Sequence, residues 1–503
     1  MVSSTLDAPE LAVPDAALTV AQRFLKQSVI PALVGGKPEL GSYSGTFKVF
    51  DPGNTSEPIA TVALMDGADV NRAAEQALKA FQKTDWARMT PSKRSELLHR
   101  YADKIHELRE VVAALETLEA GKIYEQSLGC VDNCVTTLRY YADLAANFGW
   151  TSPVEGCEVA HYAHYQPSGV CGLIIPWNFP VILYGWGVAP ALAAGNTVVI
   201  KPAENTPIAT LYLASLASQA GIPDGVINVV PGFGRDAGAA LAANPNLGHM
   251  RFTGSPGVAA AVGMACAQNH VPFASEAGGK GAAYVAEDAD VEAAAKNLAA
   301  AITFHAGQVC CTATRIVLHR SVADAFLDKY LTAVKTVKIG HPMHKGTEMG
   351  PLVSEVQRQR VLGYVNRIRP RGNFLLEGAA VESAEGMPGC YVSPCIFEAP
   401  VDHAANQEEI FGPMAGVLRV GSDEEATRVV NSSKYGLSNS IFTADPERYL
   451  ALAKAQRVGN VWHNAHNVFA PGLHYGGVGI SGNAGVNSID TMLQTCLRSS
   501  IMA

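Results

Sequence analysis

The stretch VCGLIIPWNFPVILYGWGVAPALAAGNTVVI, residues 170–200, decides the fold of this 503-residue chain. Apolar runs at 170–175 and 197–200 flank a helical stretch near 181–194, and this predicts strand, helix and strand. Because the runs are continuous rather than alternating, each strand must be covered on both faces. Pro176, Asn178 and Pro190 interrupt the stretch. We therefore interpret it as buried chain rather than a membrane span, which needs about 20 continuous apolar residues.

The same alternation continues along the chain. Strands are predicted at 226–230, 249–253 and 272–275, and helices near 207–220, 235–243 and 257–268. A β-α-β succession predicts a mostly parallel, Rossmann-like sheet with right-handed crossovers. Ligands of such sheets bind beyond the carboxyl ends of the strands. The loops of interest are therefore 176–180, 201–205, 231–235 and 254–256.

The rest of the chain is also of the α/β class. A second region over about 281–480 contains predicted strands near 314–318, 416–420 and 439–443 and a helix near 321–336. Apolar residues spaced by three and four predict one amphipathic helix over 93–120, ending at Gly121. Residues 1–20, rich in Pro and Ala, predict a loose tail. Length alone predicts two or three domains.

Composition argues against several classes of function. The net charge of -8 and the pI of about 6.0 argue against nucleic acid or an anionic membrane as the main partner. The 10 cysteines are scattered, without a CxxC pair or a zinc-like His spacing. We therefore expect reduced thiols, no metal site and a cytoplasmic protein. No apolar run precedes Arg23, the first basic residue, which argues against a secretory signal or transit peptide.

Two features point to a dinucleotide. Gly232, Gly234 and Gly238 follow a predicted strand with the spacing GxGxxxG, one residue longer than the dinucleotide fingerprint. Alone they are a weak signal, because glycines are common in tight strand–helix turns. Lys201 and Glu204 end the second predicted strand, where ribose contacts usually occur. A carboxylate there binds ribose hydroxyls and repels a 2′-phosphate, so NAD is favoured and NADP remains possible; a surface ion pair is the alternative.

Four residues could carry chemistry. Cys310 lies in GQVCC, residues 307–311, although a lone Cys is usually a small core residue. Glu276 enters a glycine turn from an apolar strand, which is costly unless it has a role or a partner such as Lys280. Asn178 could donate to an oxyanion or only hold its turn. Glu409 is a further carboxylate in an apolar loop.

Together these residues occur in motifs that resemble the aldehyde dehydrogenase superfamily over nearly the whole chain. The matching stretches are IIPWNFP at 174–180, GNTVVIKPAENTP at 195–207, GFG at 232–234, FTGS at 252–255, SEAGGK at 275–280, GQVCC at 307–311, EIFGP at 409–413 and YGLS at 435–438. The implied fold is a Rossmann-like cofactor domain, a second α/β catalytic domain and a small β-element for oligomerisation.

The resemblance implies a role for each motif residue. Cys310 matches the nucleophile and Cys311 its non-catalytic neighbour. Asn178, with the backbone amide of Cys310, matches the oxyanion donor, and Glu276 matches the general base. The implied cofactor residues are Lys201 and Glu204 on the adenosine ribose, Glu409 on the nicotinamide ribose with Phe411 flanking that ring, and Pro176, Trp177, Gly234 and Ser255 along the dinucleotide.

The implied reaction oxidises an aldehyde to the acid. The Cys310 thiolate adds to the aldehyde, hydride passes to NAD, and Glu276 activates the water that hydrolyses the remaining thioester. One alternative is a CoA-acylating aldehyde dehydrogenase, a subclass that generally lacks this base. The other is a non-catalytic binding or structural homologue, but this chain keeps both the thiol and the base.

The chain departs from the family pattern in places. Ser275 and Ala277 replace leucines, Gly187 stands where lysine is common, and YGGVGISGNAG at 475–485 lacks the lysine, arginine and glutamate of the usual C-terminal motif. We expect these changes to affect substrate class and oligomer geometry. The implied pocket residues are Phe179, Leu183, Trp186, Val309, Val468, Phe469 and Tyr475. None is basic, which favours an uncharged aromatic or medium-length aliphatic aldehyde, although apolar side chains line any dry active site.

The resemblance also implies domain boundaries. We expect an NAD-binding domain of residues 1–149 and 170–278 and a catalytic domain of residues 279–485. Residues 150–169 and 486–503 match a hairpin and a C-terminal strand that extend a neighbour's sheet in the family. A homodimer or homotetramer is therefore expected.

Overall fold

The first large sheet of the computed structural model, which describes residues 10–42, 45–156 and 159–502, has seven strands. Their order across the sheet is Phe273–Ala277, Leu247–Gly254, Val170–Ile174, Thr197–Lys201, Ile227–Val229, Ala32–Val34 and Lys37–Glu39. The first five are parallel, as predicted, and the last two are antiparallel. The strand order reverses between Val170–Ile174 and Leu247–Gly254, and such a reversal opens a crevice at the carboxyl ends of the strands.

The helices around this sheet follow the predicted alternation. They span Pro180–Ala194, Ile208–Ser215 and Pro256–Gln268, and the predicted helix near 235–243 begins as a π-turn, Gly234–Gly238, followed by Ala239–Ala242. Further helices of this half are Asp15–Leu25, Gly67–Lys83, Pro91–Glu107, Arg109–Ala120 and Tyr124–Asn147. A hairpin of Thr46–Asp51 and Asn54–Ala63 completes it.

Two predictions for the N-terminal half need correction. The single helix expected over 93–120 is two helices, because Leu108 between them has non-helical angles of φ -104° and ψ 20°. The stop at Gly121 is confirmed, with φ +73°. The loose tail expected over 1–20 is wrong from residue 15, where the helix Asp15–Leu25 begins and buries one face against the core. Residues 1–9 lie outside the described residues.

The second large sheet also has seven strands. Their order is Asn373–Leu376, Cys395–Glu398, Met414–Val420, Ala313–His319, Gly281–Val285, Ser438–Phe442 and Asn460–His463. All but the first pair in parallel. Its helices are Val291–Thr303, Ala323–Lys335, Glu355–Ile368, Ala404–Gln407, Asp423–Val430 and Pro446–Lys454. The expected second α/β region is therefore confirmed.

A small third sheet joins two distant parts of the chain. The strands Thr151–Pro153, His161–Pro167 and Cys496–Met502 are antiparallel, and the C-terminal strand pairs with the hairpin of its own chain. Residues 157–158, in the predicted hairpin, lie outside the described part. Short pairs at Ala380–Ala384 with Met387–Val392 and at Tyr475–Gly476 with Gly485–Val486, and the helix Ile489–Leu493, complete the fold.

Two further findings concern the thiols and the apolar helices. The cysteines in the described ranges are all free thiols, as expected. Among the helices of those ranges, none is both long and apolar enough to cross a membrane.

Candidate active site

A cavity of about 690 Å³ lies at the carboxyl ends of three neighbouring strands of the first sheet. Its walls come from residues 176–179, 253–255 and 276–278, which follow or end those strands, and from the loop 309–311 of the second α/β region. The crevice expected from the strand order therefore holds most of the predicted site. The predicted residues that line it are Pro176, Trp177, Asn178, Phe179, Leu183, Trp186, Ser255, Glu276, Val309, Cys310, Glu409, Phe411, Phe469 and Tyr475.

The loop that carries Cys310 is held by close backbone packing. Gly307 has φ +70°, and a Cβ there would lie 2.2 Å from the carbonyl oxygen of Gly412. Only glycine fits at this position. Gln308 fixes the next turn: its Nε2 donates to the His305 carbonyl at 3.1 Å, and its Oε1 accepts from the Val353 amide at 2.9 Å.

The thiol of Cys310 differs electrostatically from its neighbour. Its contact with the Cys311 thiol lowers the pKa of Cys310, and the Tyr475 hydroxyl, 3.3 Å from Cys310 Sγ, adds to this, while burial opposes it. Burial instead raises the pKa of Cys311 well above its usual value, and its Sγ donates to Asn467 Oδ1 at 3.0 Å. Because the thiolate is the nucleophile, the chemistry favours Cys310 over Cys311.

Asn178 lies beside the Cys310 loop at the start of the helix Pro180–Ala194. Its Nδ2 donates to the Gln308 carbonyl at 3.1 Å, and the side chain is buried. An amide NH₂ has two hydrogens, so this bond leaves one for another acceptor in the cavity. Asn178 therefore holds the loop that carries Cys310 and keeps one N–H free to donate. A structural role and a role as oxyanion donor are thus compatible for this residue.

Glu276 is a buried carboxyl without a hydrogen-bond partner. Neither of its oxygens has one among the described residues, and the predicted alternative of a salt bridge to Lys280 is absent there. Burial raises the pKa of Glu276 well above its usual value, Arg251 opposes this, and Cys310 adds to it. Glu276 lies at the end of its strand, on the cavity wall. A buried carboxyl with no partner fits a group that exchanges a proton.

Arg251 is a charged neighbour of Glu276 that no motif marked. It lies on the adjacent strand, where Thr253 pairs with Glu276. Residues two apart share a face of a strand, so Arg251 is the diagonal neighbour of Glu276 on that face. Its guanidinium is buried and donates to the Gln494 Oε1 at 2.9 Å.

The other end of the cavity contains a second carboxyl group, that of the half-buried Glu409. Glu409 Oε1 accepts from the Gly279 amide at 3.0 Å, and burial raises the pKa of Glu409 to about 7. A Cβ on Gly278 would lie 2.0 Å from Glu409 Oε2, so only glycine allows this approach. The Trp177 and Phe411 rings meet edge to face, 5.2 Å apart, at the same end.

Four predicted residues do not line this cavity. Lys201 and Glu204 form an ion pair 3.6 Å long at the end of their strand, with Lys201 buried and Glu204 half-exposed. Gly234 begins the π-turn, and the position of its missing Cβ has no atom within 4 Å. These three lie at the same carboxyl edge of the sheet as the cavity. Val468 is 52 % exposed and lies outside the cavity lining.

The remaining predicted pocket residues form an aromatic wall. Trp186, Phe469 and Tyr475 contact one another with ring centroids 5.0–5.9 Å apart. Leu183, Val309 and Phe179 complete it. Residues that sequence reasoning missed also line the cavity: Glu125, Gln126, Cys130 and Asn133 of the helix Tyr124–Asn147, together with Phe304 and Arg360. No motif marks them, since helical spacing distinguishes a buried face from an exposed one but not a cavity wall from a core.

Comparison with known proteins agrees with this geometry. A model described as "Aldehyde dehydrogenase family" matches residues 40–501. Human "Aldehyde dehydrogenase, mitochondrial" is 38% identical over 443 residues, which cover 87% of this chain and 85% of that protein. Mouse "Retinaldehyde dehydrogenase 3" is 36% identical over 448 residues, covering 87% and 85%.

Solved structures are similar over nearly their whole length. PnpE from Pseudomonas sp. WBC-3, in complex with nicotinamide adenine dinucleotide, superposes with a TM-score of 0.91 at 36% identity, covering 94% of this chain and 97% of PnpE. The NAD+ complex of a Bacillus cereus aldehyde dehydrogenase gives a TM-score of 0.93 at 32% identity, covering 98% and 99%. The chain belongs to the aldehyde dehydrogenase family.

Proposed function

We propose that this protein oxidises an aldehyde to the carboxylic acid through a thioester on Cys310. As a member of the family with NAD complexes among its structural relatives, the protein is an NAD-dependent aldehyde dehydrogenase. The observation that carries the residue assignment is the meeting of a lowered-pKa thiol, an amide donor and an unpaired carboxyl in one cavity. These groups are Cys310, Asn178 and Glu276.

The first half of the proposed mechanism uses the thiol and the amides. Cys310, as the thiolate, adds to the carbonyl carbon of the aldehyde. The Asn178 side chain and the Cys310 backbone amide donate to the oxyanion that forms. Bound NAD supplies a hydride acceptor, and the loss of hydride from the substrate carbon leaves a thioester on Cys310.

The second half uses the carboxyl. Glu276 takes a proton from water as the water attacks the thioester carbon, and the carboxylic acid leaves as Cys310 regains its thiolate. Burial raises the pKa of Glu276, and a carboxylate with a higher pKa is a stronger base for the proton of the attacking water. We assign Glu276 to hydrolysis rather than to the initial attack, since the pKa of Cys310 is already lowered.

The residues present fit NAD at the carboxyl edge of the first sheet. We assign Glu409, one of whose oxygens accepts from the Gly279 amide, to a hydroxyl of the nicotinamide ribose. Trp177 and Phe411 lie at the same end of the cavity and are assigned to the nicotinamide end of the cofactor. The open space before Gly234 and the helix start at Ser255 suit an anionic pyrophosphate. We assign Lys201 and Glu204 to the hydroxyls of the adenosine ribose. Pro176 completes the wall of the cavity at the cofactor end.

The Glu204→Gln variant tests the cofactor assignment. We expect wild type to use NAD with a higher kcat/KM than NADP, because the Glu204 carboxylate binds ribose hydroxyls and repels a 2′-phosphate. Losing a charged hydrogen bond worth about 1.5–3 kcal/mol lowers kcat/KM for NAD roughly 10- to 100-fold. Initial rates with both cofactors measure the ratio. Equal efficiencies in wild type, or an unchanged ratio in the variant, contradict the assignment.

Product analysis separates hydrolysis from acyl transfer to CoA. With aldehyde and NAD alone, we expect the carboxylic acid and NADH in equal amounts, because Glu276 supplies the base that hydrolysis needs. Adding CoA should leave both unchanged. Acyl-CoA formation, without acid in the absence of CoA, would favour the CoA-acylating alternative, and absence of NADH with every aldehyde would favour a non-catalytic homologue.

We infer an uncharged aromatic or medium-length aliphatic aldehyde from the cavity lining. The wall around Cys310 is built from Phe179, Trp186, Phe469 and Tyr475. None of the described residues in this wall is basic, so it offers no partner for a substrate carboxylate. A screen of NADH formation across aromatic, aliphatic and semialdehyde substrates tests this. A clear preference for a negatively charged semialdehyde contradicts it.

We also propose a homo-oligomer in the cytoplasm. The small sheet of residues 151–153, 161–167 and 496–502 leaves Leu497, Ile501 and Met502 exposed, which suits contact with another subunit in a homodimer or homotetramer. Free thiols favour a reducing compartment. Several relatives carry "mitochondrial" in their names, so cell fractionation must separate the cytoplasm from mitochondria. Light scattering measures the mass in solution.

A further inference from the structure

We propose that the side-chain amides of Gln126 and Asn133 are two fixed hydrogen-bond donors that select aldehydes carrying an uncharged acceptor oxygen remote from the carbonyl. Both residues lie on the helix Tyr124–Asn147, which we name the pocket helix. The inference rests on the aldehyde oxidation proposed above and deepens it, because it names a substrate class.

The orientation of the Asn133 amide is fixed by Trp186. The indole Nε1 of Trp186 donates to Asn133 Oδ1 at 2.9 Å. An indole N–H is a donor only, so the oxygen must face Trp186 and the NH₂ group must point away from it. The Asn133 NH₂ has no acceptor among the described residues, and Asn133 lines the cavity. The Asn133 NH₂ group is therefore a donor at the cavity that has no acceptor among the described residues.

The orientation of the Gln126 amide is fixed in the same way, by the backbone of His305. The backbone amide of His305 donates to Gln126 Oε1 at 3.1 Å. A backbone N–H is also a donor only, so the NH₂ of Gln126 is the end left without an acceptor in the described chain. His305 lies in the turn that precedes the Cys310 loop. This hydrogen bond therefore ties Gln126 to the segment that carries the nucleophile.

The two amides belong to one face of the pocket helix. Gln126, Gly129, Cys130 and Asn133 all line the cavity, with the spacing of one helix face. At 1.5 Å per residue, the backbone positions of Gln126 and Asn133 are about 10 Å apart along the helix axis. Gly129 lies between them, and the position of its missing Cβ has no atom within 4 Å. The space between the donors is open to a ligand.

The Asn133 donor is separated from the reacting thiol by two aromatic side chains. Cys310 Sγ is 3.3 Å from the Tyr475 hydroxyl, and the Tyr475 ring is 5.8 Å from the Trp186 ring. Trp186 in turn contacts Asn133 through its indole nitrogen, so Trp186 links Tyr475 to Asn133 along this wall. An aldehyde bound at Cys310 along this aromatic wall would meet the amide with its far end.

The charges around the pocket favour an uncharged acceptor. The exposed Glu125 carboxylate lines the cavity beside Gln126 and would repel a substrate carboxylate. In the described cavity lining the only Arg or Lys is Arg360, whose guanidinium donates to the Glu409 and Ile410 carbonyls at the cofactor end. An ether, hydroxyl or carbonyl oxygen fits such donors, and an anion does not.

Matched pairs of aldehydes test the proposal. 4-Methoxybenzaldehyde and 4-ethylbenzaldehyde have nearly the same shape, as do 4-methoxybutanal and hexanal, but only the first of each pair carries an acceptor oxygen. The measurement is the ratio of kcat/KM within a pair, compared between variants so that the intrinsic reactivity of each aldehyde cancels. We expect this ratio to be about tenfold higher in wild type than in Asn133→Asp for at least one pair.

The choice of Asp and Glu as replacements separates recognition from support. Asn133→Asp keeps an oxygen for the Trp186 indole, and Gln126→Glu keeps one for the His305 amide, but each loses its NH₂ donor. A merely structural role would leave the ratio unchanged in these variants and lower activity only in Asn133→Leu. Asn147→Asp makes the same substitution at the exposed far end of the pocket helix and serves as the control, with the wild-type ratio expected.

The outcomes are distinguishable. A ratio that falls in Asn133→Asp or Gln126→Glu but not in Asn147→Asp supports the donor pair. Ratios that are equal in wild type and both variants, while all aldehydes are oxidised, overturn the donor pair and leave the proposed oxidation intact. Absence of NADH with every aldehyde in wild type overturns both.

Discussion

Replacing Cys310 by Ala should lower NADH formation from any aldehyde at least about 1000-fold, because the hydride leaves only from an adduct on this thiol. Among the described residues that line the cavity, no other side chain combines a nucleophilic atom with a lowered pKa. The measurement is NADH absorbance at saturating NAD, together with mass spectrometry of the acylated enzyme. The acyl adduct should be absent from the variant, whose folded state can be checked by thermal unfolding.

Cys311→Ala is the matched control for this prediction. It removes the neighbouring thiol, whose pKa is raised and which donates to Asn467. We expect this variant to keep at least about a tenth of the activity, with its pH optimum moved upwards, because Cys311 helps to lower the pKa of Cys310. If Cys311→Ala were inactive and Cys310→Ala active, Cys311 would be the nucleophile and Cys310 its non-catalytic neighbour.

The sheet that carries the site could be predicted because burial on both faces leaves a mark in the sequence. The strands near 170–175 and 197–200 are continuous apolar runs, and the structure confirms them as Val170–Ile174 and Thr197–Lys201. The prediction of one continuous helix over 93–120 was wrong, again because the pattern of the sequence reports burial. Spacing reports which residues are buried, and residues on both sides of Leu108 are buried in the same core, although the backbone breaks there.

Side-chain partners were harder to predict than positions. The cost of burying Glu276 was evident from the sequence, but the sequence could not decide between a partner and a role. In the structure the buried Lys280 ammonium has no hydrogen-bond partner among the described residues, so it does not pair with Glu276. No role could be predicted for Asn133 and Gln126, because the orientation of their amides depends on contacts with Trp186 and His305, which lie in distant segments of the chain. Such contacts are set by packing and leave no local pattern.

Replacing Glu276 by Gln should separate the two halves of the reaction. We expect a burst of close to one NADH per active site, followed by turnover about 100-fold slower or more, because the variant still forms the thioester but lacks the base that activates water. Rapid mixing measures the burst, and mass spectrometry should find the acyl group on Cys310. Loss of the burst itself would mean that Glu276 acts before hydride transfer.

The pH dependence of turnover sharpens this last prediction. A base works only as the carboxylate, and the pKa of Glu276 lies above its usual value, so the active fraction is small at low pH and grows as pH rises through that raised pKa. Steady-state turnover of wild type should therefore climb with pH over this range, while the Glu276→Gln turnover stays flat. Glu276→Asp restores a carboxyl and should restore part of the rate together with the slope. A Gln variant with the wild-type slope would assign the titration to another group, and Glu276 would then lose its role as the base.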